Sequence, residues 1–420
     1  MIRFGIICPE LSGHLNPTMA LARVLQSRGH QITFYQRPLS KEKIINAGFN
    51  CAVFGEEEFP IEVMHQELET LAKISGLPAL KFTIDLFRRR MQAAFEQIPL
   101  LAKANPIDAL ICDETNWEGA TIAEMLGIPL ITTACALCLR AEPAIPPFFT
   151  TWSYRNNLLG RIRNGLAYRL FKKMGRPLLE TVNAQRTRAG LRPYDRGEDI
   201  CSQLLFISQQ PSAFDFPRLN PPAALKYVGP MVDASLRGDV PFPFERLNGK
   251  PLVYASLGTL QNHQKEIFQT IASACAPLDV QLVLSLGGGS KPESLGQLAG
   301  DPIAVEFAPQ LELIRRSTLS ITHAGLNTAL ESMAEGVPMV ALPITNDQPG
   351  VAARIAFTGC GEVLSIKKLK VEKLRSTISK VLSDPTYRQN AKKMQQNIQQ
   401  HRGAQGAADL IEAALIPTRM

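Results

Sequence analysis

The chain has 420 residues, of which 45% are hydrophobic and 20% are charged. This composition excludes a disordered or fibrous chain, and the length suits two domains of about 150–200 residues each. The net charge is +7, but residues 151–190 alone carry nine Lys or Arg and one acid. The rest of the chain is therefore close to neutral, and general binding to nucleic acid is not expected.

The cysteine pattern and the apolar runs indicate a cytoplasmic protein. Eight cysteines are scattered without the spacing of a disulfide framework, and Cys135 and Cys138 have no second pair or histidine nearby that would complete a zinc site. The start of the chain does not resemble a signal peptide, and the apolar stretch 126–139 is shorter than the roughly 20 residues that span a bilayer. We expect a monomer or a weak dimer.

The first 135 residues alternate apolar runs with helical patterns, which is typical of a parallel sheet buried on both faces. We expect the first helix to begin at Pro17 with Asn16 as its cap and to end at Gly29. The pattern predicts five strands, at Arg3–Cys8, Gln31–Tyr35, Cys51–Phe54, Ala109–Cys112 and Leu130–Thr133.

The same alternation starts again at Pro251 and predicts a second doubly wound sheet of the α/β class. Seven prolines between residues 211 and 243 interrupt regular structure, which places a linker near 230–250. We expect domains over 1–235 and 236–385, and tail helices over 386–420 that cross back to the first domain. The strands predicted in the second half are Leu252–Ser256, Gln281–Ser285, Ala304–Phe307, Leu319–Thr322 and Met339–Leu342.

Polar residues gather where a strand ends at Thr322 and a helix begins near Leu326. The free N–H groups and the dipole of such a helix point at the preceding turn, and this arrangement binds phosphate. Glu331 follows on the same helical face and suits a pair of ribose hydroxyls. The alternative is a helix cap with an incidental histidine. The residues expected to supply close approach and hydrogen-bond donors are His323, Gly325, Asn327 and Thr328.

This region resembles the signature of UDP-dependent glycosyltransferases of the GT-B fold, which have two Rossmann-like domains facing across a cleft. The resemblance is strongest from Phe307 to Ile355, and the part from Asp347 onward resembles the zeaxanthin glucosyltransferases in particular. It is also similar to bacterial macrolide-type members. The residues that carry it are Phe307-Ala308-Pro309-Gln310, Thr322-His323-Ala324-Gly325-Leu326-Asn327-Thr328, Glu331, Gly336-Val337-Pro338 and Asp347-Gln348.

The resemblance implies a role for each motif residue. Gln310 contacts uracil, His323 the pyrophosphate and Glu331 the ribose, while Asp347 and Gln348 contact the donor sugar. Phe307 stands where plant members have a tryptophan near the uracil, and Pro309 belongs to the same nucleotide-binding set. Residues 1–235 would then bind the acceptor and 236–385 the UDP-sugar.

A second segment, Ala255-Ser256-Leu257-Gly258-Thr259, resembles the first phosphate contact of the family. Gly258 and Thr259 would be donors there, although a strand followed by Gly-Thr is a common turn. Ser285 is a further candidate nucleotide contact. The run Gly287–Gly289 lacks the lysine spacing of a P-loop, and we interpret it as a flexible turn.

His14 and Asp113 are the candidate catalytic residues. Each follows or ends a strand at the carboxyl edge of the first sheet, where such sheets bind ligands. Histidine has a pKa suited to a general base, and an aspartate can fix its tautomer. The family's His–Asp dyad falls at these two positions. The alternatives are a turn histidine and a solvated strand-end acid.

These residues predict an inverting transferase that moves a sugar, with glucose favoured by the resemblance, from a UDP-sugar to a hydroxyl group of a lipophilic acceptor such as a carotenoid. No cofactor and no metal are expected, because a D-x-D sequence is absent and His323 and the helix dipole take up the leaving-group charge. The alternatives are a UDP-sugar epimerase of the same architecture and a non-catalytic UDP-sugar-binding accessory protein.

The basic segment 151–190 predicts a contact of its own. Leu158, Ile162, Leu166 and Leu170 recur every four residues among basic side chains, which is typical of a helix that lies at an anionic membrane surface. The alternative is that the apolar stripe packs into the first domain while the charges are solvated.

Overall fold

The computed structural model describes residues 1–74, 76–259 and 264–415, which form two parallel sheets with helices on their faces. The predicted α/β class with two Rossmann-like sheets is confirmed. None of the described helices is both long enough and apolar enough to cross a bilayer.

The first sheet has seven parallel strands in the order β3-β2-β1-β4-β5-β6-β7. The five predicted strands are present, and two more extend the sheet beyond β5. The last of them lies in the proline-rich segment, at the sheet edge, where proline is tolerated. The strands are β1 (Arg3–Ile7), β2 (Gln31–Gln36), β3 (Asn50–Val53), β4 (Ala109–Asp113), β5 (Leu130–Ala134), β6 (Leu205–Ser208) and β7 (Leu225–Tyr227).

The second sheet has six parallel strands in the order β10-β9-β8-β11-β12-β13. Its central strands are buried on both faces, as their apolar sequences require. The strands are β8 (Leu252–Ser256), β9 (Gln281–Ser285), β10 (Ile303–Val305), β11 (Ser317–Thr322), β12 (Met339–Ala341) and β13 (Gly361–Val363).

Most of the helices lie between successive parallel strands, whereas the last three follow the final strand of the second sheet. They are α1 (Ser12–Ser27), α2 (Lys41–Asn46), α3 (Ile61–Lys73), α4 (Gly76–Ala104), α5 (Gly119–Leu126), α6 (Leu158–Arg188), α7 (Lys265–Cys275), α8 (Gln310–Arg316), α9 (Leu326–Ala334), α10 (Gln348–Phe357), α11 (Val371–Ser383), α12 (Pro385–Gln399) and α13 (Gly403–Leu415).

The start of the first helix differs from the prediction. Helix α1 begins at Ser12, immediately after the loop that follows β1, so Pro17 lies inside it and Asn16 does not cap it. The Asn16 side chain instead accepts a hydrogen bond of 2.7 Å from Lys43 Nζ. A proline inside a helix removes one donor, and the carbonyl group of Gly13 that loses this donor is bonded to Asn327 from outside the helix.

The end of the chain packs against its beginning. Helix α13 buries Ala407 and Ile411 in the same apolar cluster as the first sheet and α1. At its surface, Arg28, the C-cap residue of α1, donates a hydrogen bond of 2.6 Å to Glu412. The last helix therefore joins the core of the first sheet, although the second sheet precedes it in the chain.

The strand order reverses at one place in each sheet. In the first sheet the reversal lies between β1 and β4, and in the second between β8 and β11. Open parallel sheets bind ligands at the carboxyl ends of the strands at such a point, because the connecting helices diverge to opposite faces there. We therefore expect ligands to bind at the loops after β1, β4, β8 and β11.

Candidate functional site

His14 and Asp113 meet at the reversal point of the first sheet. His14 lies in the first turn of α1, Asp113 ends β4, and His14 Nδ1 lies 2.9 Å from Asp113 Oδ2. The Asp113 side chain is fully buried, while that of His14 is 17% exposed. Because Nδ1–H donates to the carboxylate, Nε2 carries the lone pair and is free to accept a proton.

Burial and the carboxylate of Asp113 shift the pKa of His14 in opposite directions. Burial lowers the pKa of His14, but the charge and hydrogen bond of Asp113 outweigh burial and leave that pKa above its ordinary value. The pKa of Asp113 lies below its ordinary value, because His14 and Thr115 together outweigh the effect of burial. Asp113 is therefore ionised at neutral pH and stabilises a protonated His14.

Thr115 orients the aspartate and was not predicted. Its backbone N–H and its hydroxyl group donate to Asp113 Oδ1 over 3.0 and 2.6 Å. An Asp side chain often bonds to the backbone two residues further on in a turn. The Asp-Glu-Thr sequence could therefore have predicted this contact.

His323 lies at the reversal point of the second sheet, between two glycines. A Cβ atom on Gly258 would lie 2.7 Å from the imidazole ring, and one on Gly325 would lie 2.5 Å from it. Only glycine leaves room for the ring at these distances, and Gly258 also has a φ of +77°. The two motifs that sequence analysis treated separately therefore build one position for His323.

The imidazole of His323 is neutral. Burial lowers its pKa to about 4, and a contact with the backbone of Ser256 opposes this only in part. Its Nδ1 atom is buried and has no hydrogen-bond partner within the described ranges. An orphaned polar atom at this position suits a ligand that supplies the missing partner.

Helix α9 begins at Leu326, three residues after His323, and its first N–H groups have no side-chain cap. Gly325 is the N-cap residue and makes no capping hydrogen bond through a side chain. The preceding Ala324 has a φ of +63°, a left-handed conformation that is strained for a residue with a Cβ atom. The turn thus points the helix N-terminus into the cleft, as phosphate binding requires.

Glu331 is the centre of a polar cluster beside α9. Its carboxylate accepts a hydrogen bond of 2.6 Å from Gln310 Nε2 and a second one from Arg237. Gln310 in turn accepts from the Tyr254 hydroxyl group over 3.0 Å and lies 3.4 Å from Thr328 Oγ1. Arg237 and Tyr254 were not predicted. Arg237 comes from the linker region and has no motif around it, whereas Tyr254 belongs to the predicted strand β8.

Two of the residues predicted to bind the UDP-sugar form hydrogen bonds with the first half of the chain. Asn327 donates to the carbonyl oxygen of Gly13 over 2.9 Å, and Asp347 accepts from the backbone N–H of Leu137 over 3.2 Å. Burial raises the pKa of Asp347 above its ordinary value. Gln348 caps its own loop by accepting from the N–H groups of residues 344 and 345.

One continuous cavity of about 2180 Å³ is lined by residues of both halves of the chain. All predicted site residues line it except Asp113, which is buried behind His14. Phe307 is half exposed and packs closely on Gly288, where a Cβ atom would lie 2.5 Å from the ring. The lining residues from the second half of the chain are Gly258, Thr259, Ser285, Phe307, Pro309, Gln310, His323, Gly325, Asn327, Thr328, Glu331, Asp347 and Gln348.

The same cavity continues along the first sheet, where its wall is largely apolar. Phe148 and Phe171 pack edge to face, with ring centroids 5.1 Å apart. The described parts of the chain contain no group of three or more His, Cys, Asp or Glu side chains placed to hold a metal ion. Other apolar residues of the wall are Leu68, Leu71, Ile84 and Phe87.

The model of the family described as UDP-glucoronosyl and UDP-glucosyl transferase matches residues 6–403. The chain belongs to this family. It is therefore a glycosyltransferase, as the resemblance of its motifs implied.

Two relatives of this transferase are described as zeaxanthin glucosyltransferase. The one from Pseudescherichia vulneris is 31% identical over 99% of this chain and 98% of the relative. The one from Pantoea ananas is 30% identical over 99% of this chain and 96% of the relative. Among solved structures, the calicheamicin glycosyltransferase CalG4 superposes with a TM-score of 0.76 at 21% identity, over 99% of this chain and 98% of that one. This last similarity confirms the GT-B fold.

Proposed function

We propose that this transferase moves glucose from UDP-glucose to a hydroxyl group of a lipophilic acceptor, with inversion at the anomeric carbon. The observation that carries the proposal is the 2.9 Å contact of His14 with Asp113. This pair opens into the cavity that is also lined by His323 and the start of α9. The proton acceptor then acts on the attacking hydroxyl group, and the diphosphate-binding turn acts on the leaving group of the same displacement.

In the proposed reaction the acceptor hydroxyl group gives its proton to His14 Nε2 as its oxygen attacks the anomeric carbon. The bond from that carbon to the diphosphate oxygen breaks, and its electron pair leaves with UDP. Asp113 stabilises the imidazolium that forms and holds the ring in the required tautomer. A single displacement inverts the configuration of the anomeric carbon.

The second half of the chain would hold the donor. The free N–H groups of α9 and the N–H of a neutral His323 can neutralise charge that develops on the diphosphate. Glu331, with two partners that can exchange, suits the ribose hydroxyl groups, and Gln310 lies beside it for the uracil. Because these groups supply the charge stabilisation, we propose that the reaction needs no divalent metal and no cofactor.

Two observations support the choice of substrates. The relatives described as zeaxanthin glucosyltransferases match over nearly their full length, and their names specify glucose and a hydroxylated carotenoid. The apolar wall around Phe148 and Phe171 suits a hydrocarbon acceptor of the same class. We assign acceptor binding to residues 1–235, donor binding to 236–385 and the brace between them to the tail after 386, in a cytoplasmic protein.

The test is release of UDP from UDP-glucose by the purified protein, with and without a panel of lipophilic alcohols that includes a dihydroxy-carotenoid in detergent. We expect release that depends on the alcohol and a β-glucoside as product, because UDP-glucose is an α-glycoside. An α-linked product would contradict the single displacement. UDP-sugar that is bound but never consumed with any alcohol would contradict transfer by this chain.

A further inference from the structure

The first half of helix α6 exposes a row of large apolar side chains. Leu158 is 73% exposed, Leu166 59% and Leu170 60%. Ile162 completes the row with an exposed fraction of 51%. Positions four residues apart advance by about 40° around a helix, so these side chains share one face. The alternative, in which this stripe packs into the first domain, is therefore wrong.

The opposite side of the same helix is buried. Gly160, Asn164 and Tyr168 face the protein, and beyond Pro177 the helix packs through Leu178 and Val182. The exposed row is thus not a consequence of a poorly packed helix. It is the outer face of a helix that is anchored on its inner face.

The exposed row is surrounded by positive charge. No acidic residue occurs between 151 and 179, and the first one is Glu180, which pairs with Arg176. Lys172 pairs with Glu198 over 2.7 Å. Four further basic residues are exposed and have no ion pair within the described ranges: Arg155, Arg161, Arg169 and Lys173. We call these four side chains and the apolar row together the α6 face.

We propose that the α6 face rests on the surface of an anionic lipid bilayer. Leucines inserted at the level of the headgroups gain by leaving water, and the unpaired cations gain by approaching anionic phosphates. A soluble protein partner would need acidic side chains and an apolar groove that match the α6 face in position. An anionic bilayer offers negative charge and an apolar interior over its whole surface. The absence of acids on this face is the specific match to a surface that is uniformly negative.

The position of the α6 face gives the contact a use in the reaction. Residues 171–176 continue the same helix and line the cavity, among them Phe171 and Lys173. A bilayer against the α6 face would therefore lie next to an opening of the acceptor wall. This use, unlike the contact itself, rests on the proposed lipophilic acceptor, which could then pass from the bilayer without crossing water.

The test is co-sedimentation of the full chain with vesicles of phosphatidylcholine alone or mixed with phosphatidylglycerol. We expect binding only to the mixed vesicles, and a loss of binding as salt is raised, since the Debye length falls to about 3 Å at 1 M. Arg161→Glu with Arg169→Glu should lower the vesicle partition coefficient by at least about tenfold. Leu166→Ser with Leu170→Ser should lower it as well. None of these four residues lines the cavity.

Matched variants separate the α6 face from charge and hydrophobicity in general. Lys392→Glu with Lys393→Glu makes the same change of net charge on exposed positions of α12, and Leu100→Ser with Leu219→Ser removes two other exposed leucines. These controls should bind mixed vesicles like the parent. Equal recovery in the supernatant with both kinds of vesicle at low salt would overturn the proposal, as would an equal loss of binding in the controls.

Two further readouts complete the test. If the leucine variants lower the mass in sedimentation velocity and the parent does not bind vesicles, the α6 face is an interface between copies of this chain, and the proposal fails.

UDP release with a soluble alcohol, measured on the same preparations, reports on the proposed transfer reaction without a bilayer. Failure of that assay with intact vesicle binding would refute the transfer reaction and leave the membrane contact in place.

Discussion

The side-chain amide of Asn327 in α9 donates a hydrogen bond of 2.9 Å to the carbonyl oxygen of Gly13 in α1. Within a helix that oxygen would accept from the N–H of residue 17, but residue 17 is a proline and has none. The amide oxygen of Asn327 accepts a bond of 2.7 Å from Gln209. The same side chain therefore ties the two sheets together, one residue away from His14.

The first prediction concerns this tie. Asn327→Ala should lower kcat/KM by about 5–30-fold, which corresponds to one or two lost hydrogen bonds of about 1 kcal/mol each, because it loosens the cleft around the catalytic pair. Both polar groups of the Asn327 side chain are bonded to protein, to Gly13 and to Gln209, and are not free for the phosphate contact that the sequence predicted. UDP affinity measured by calorimetry should therefore change by less than about twofold. A large loss of UDP affinity would instead assign Asn327 to the diphosphate.

A double-mutant cycle tests the role of Pro17. Pro17→Ala supplies an N–H that competes with Asn327 for the Gly13 oxygen, so it should also lower kcat/KM. If both changes act on the same bond, the double variant will be no worse than Asn327→Ala alone. Additive losses would show that Pro17 acts elsewhere.

The second prediction is a shift in the pH dependence of transfer. A general base works in its deprotonated form, so the rate should rise with pH through the pKa of His14, which Asp113 holds above its ordinary value. Asp113→Asn removes the charge that stabilises the imidazolium. The rising limb should then move to lower pH, while the plateau falls by at least about 10²-fold.

The control for this variant is Asp108→Asn. Asp108 is 40% exposed and pairs with Arg3 on the surface. The same substitution there should leave both the limb and the plateau unchanged. A limb that stays in place in Asp113→Asn would show that the observed pKa belongs to a group other than His14.

The sequence predicted those parts of the site that local rules determine. His14, His323 and the start of α9 were each predicted from nearby residues in the sequence. The signals were the end of a strand, the small residues of a turn and the N-terminus of a helix. Arg237 could not be predicted, because the linker brings it to Glu331 from 94 positions away in the chain. The start of α1 was misplaced because Pro17 is a start signal by local rules. The carbonyl group that loses its helical donor at Pro17 is bonded instead by Asn327 of α9, which is distant in the sequence.

The third prediction uses two glycines with similar backbones. Gly258 has a φ of +77° and Gly249 one of +82°, so alanine at either position meets a similar backbone cost of roughly 1–2 kcal/mol. Only at Gly258 would the new Cβ atom lie 2.7 Å from His323. Gly258→Ala should therefore weaken UDP binding by at least about tenfold, on the scale of the hydrogen bonds to charged groups that it would disturb, while Gly249→Ala should not. Equal affinities, measured by calorimetry, would mean that His323 does not contact UDP.

The fourth prediction is that EDTA leaves the rate of transfer unchanged. His323 and the N-terminus of α9 are proposed to supply the stabilisation that a divalent ion supplies in other enzymes. The measurement is UDP release after dialysis against chelator, followed by addition of Mg²⁺ or Mn²⁺. Activity that is lost on chelation and restored by either ion would contradict the proposed donor site.

The last prediction concerns the pair of Arg237 and Glu331. The Glu331 side chain is 2% exposed, and Arg237 occupies one of its carboxylate oxygens in the free protein. If the ribose hydroxyl groups bind to that carboxylate, they must displace Arg237. Arg237→Ala leaves the buried oxygen unpaired in the free protein only, which destabilises the free state more than the bound state.

UDP should accordingly bind Arg237→Ala at least about threefold more tightly, because it restores a partner that the variant lacks. The melting temperature of the free variant should fall, and the stabilisation by saturating UDP should exceed that of the parent. Glu331→Ala is the matched change on the other side of the pair and should weaken UDP binding by roughly 1–3 kcal/mol. If Arg237→Ala weakens UDP binding in the same way, Arg237 contacts the nucleotide itself, and its bond to Glu331 positions it for that contact.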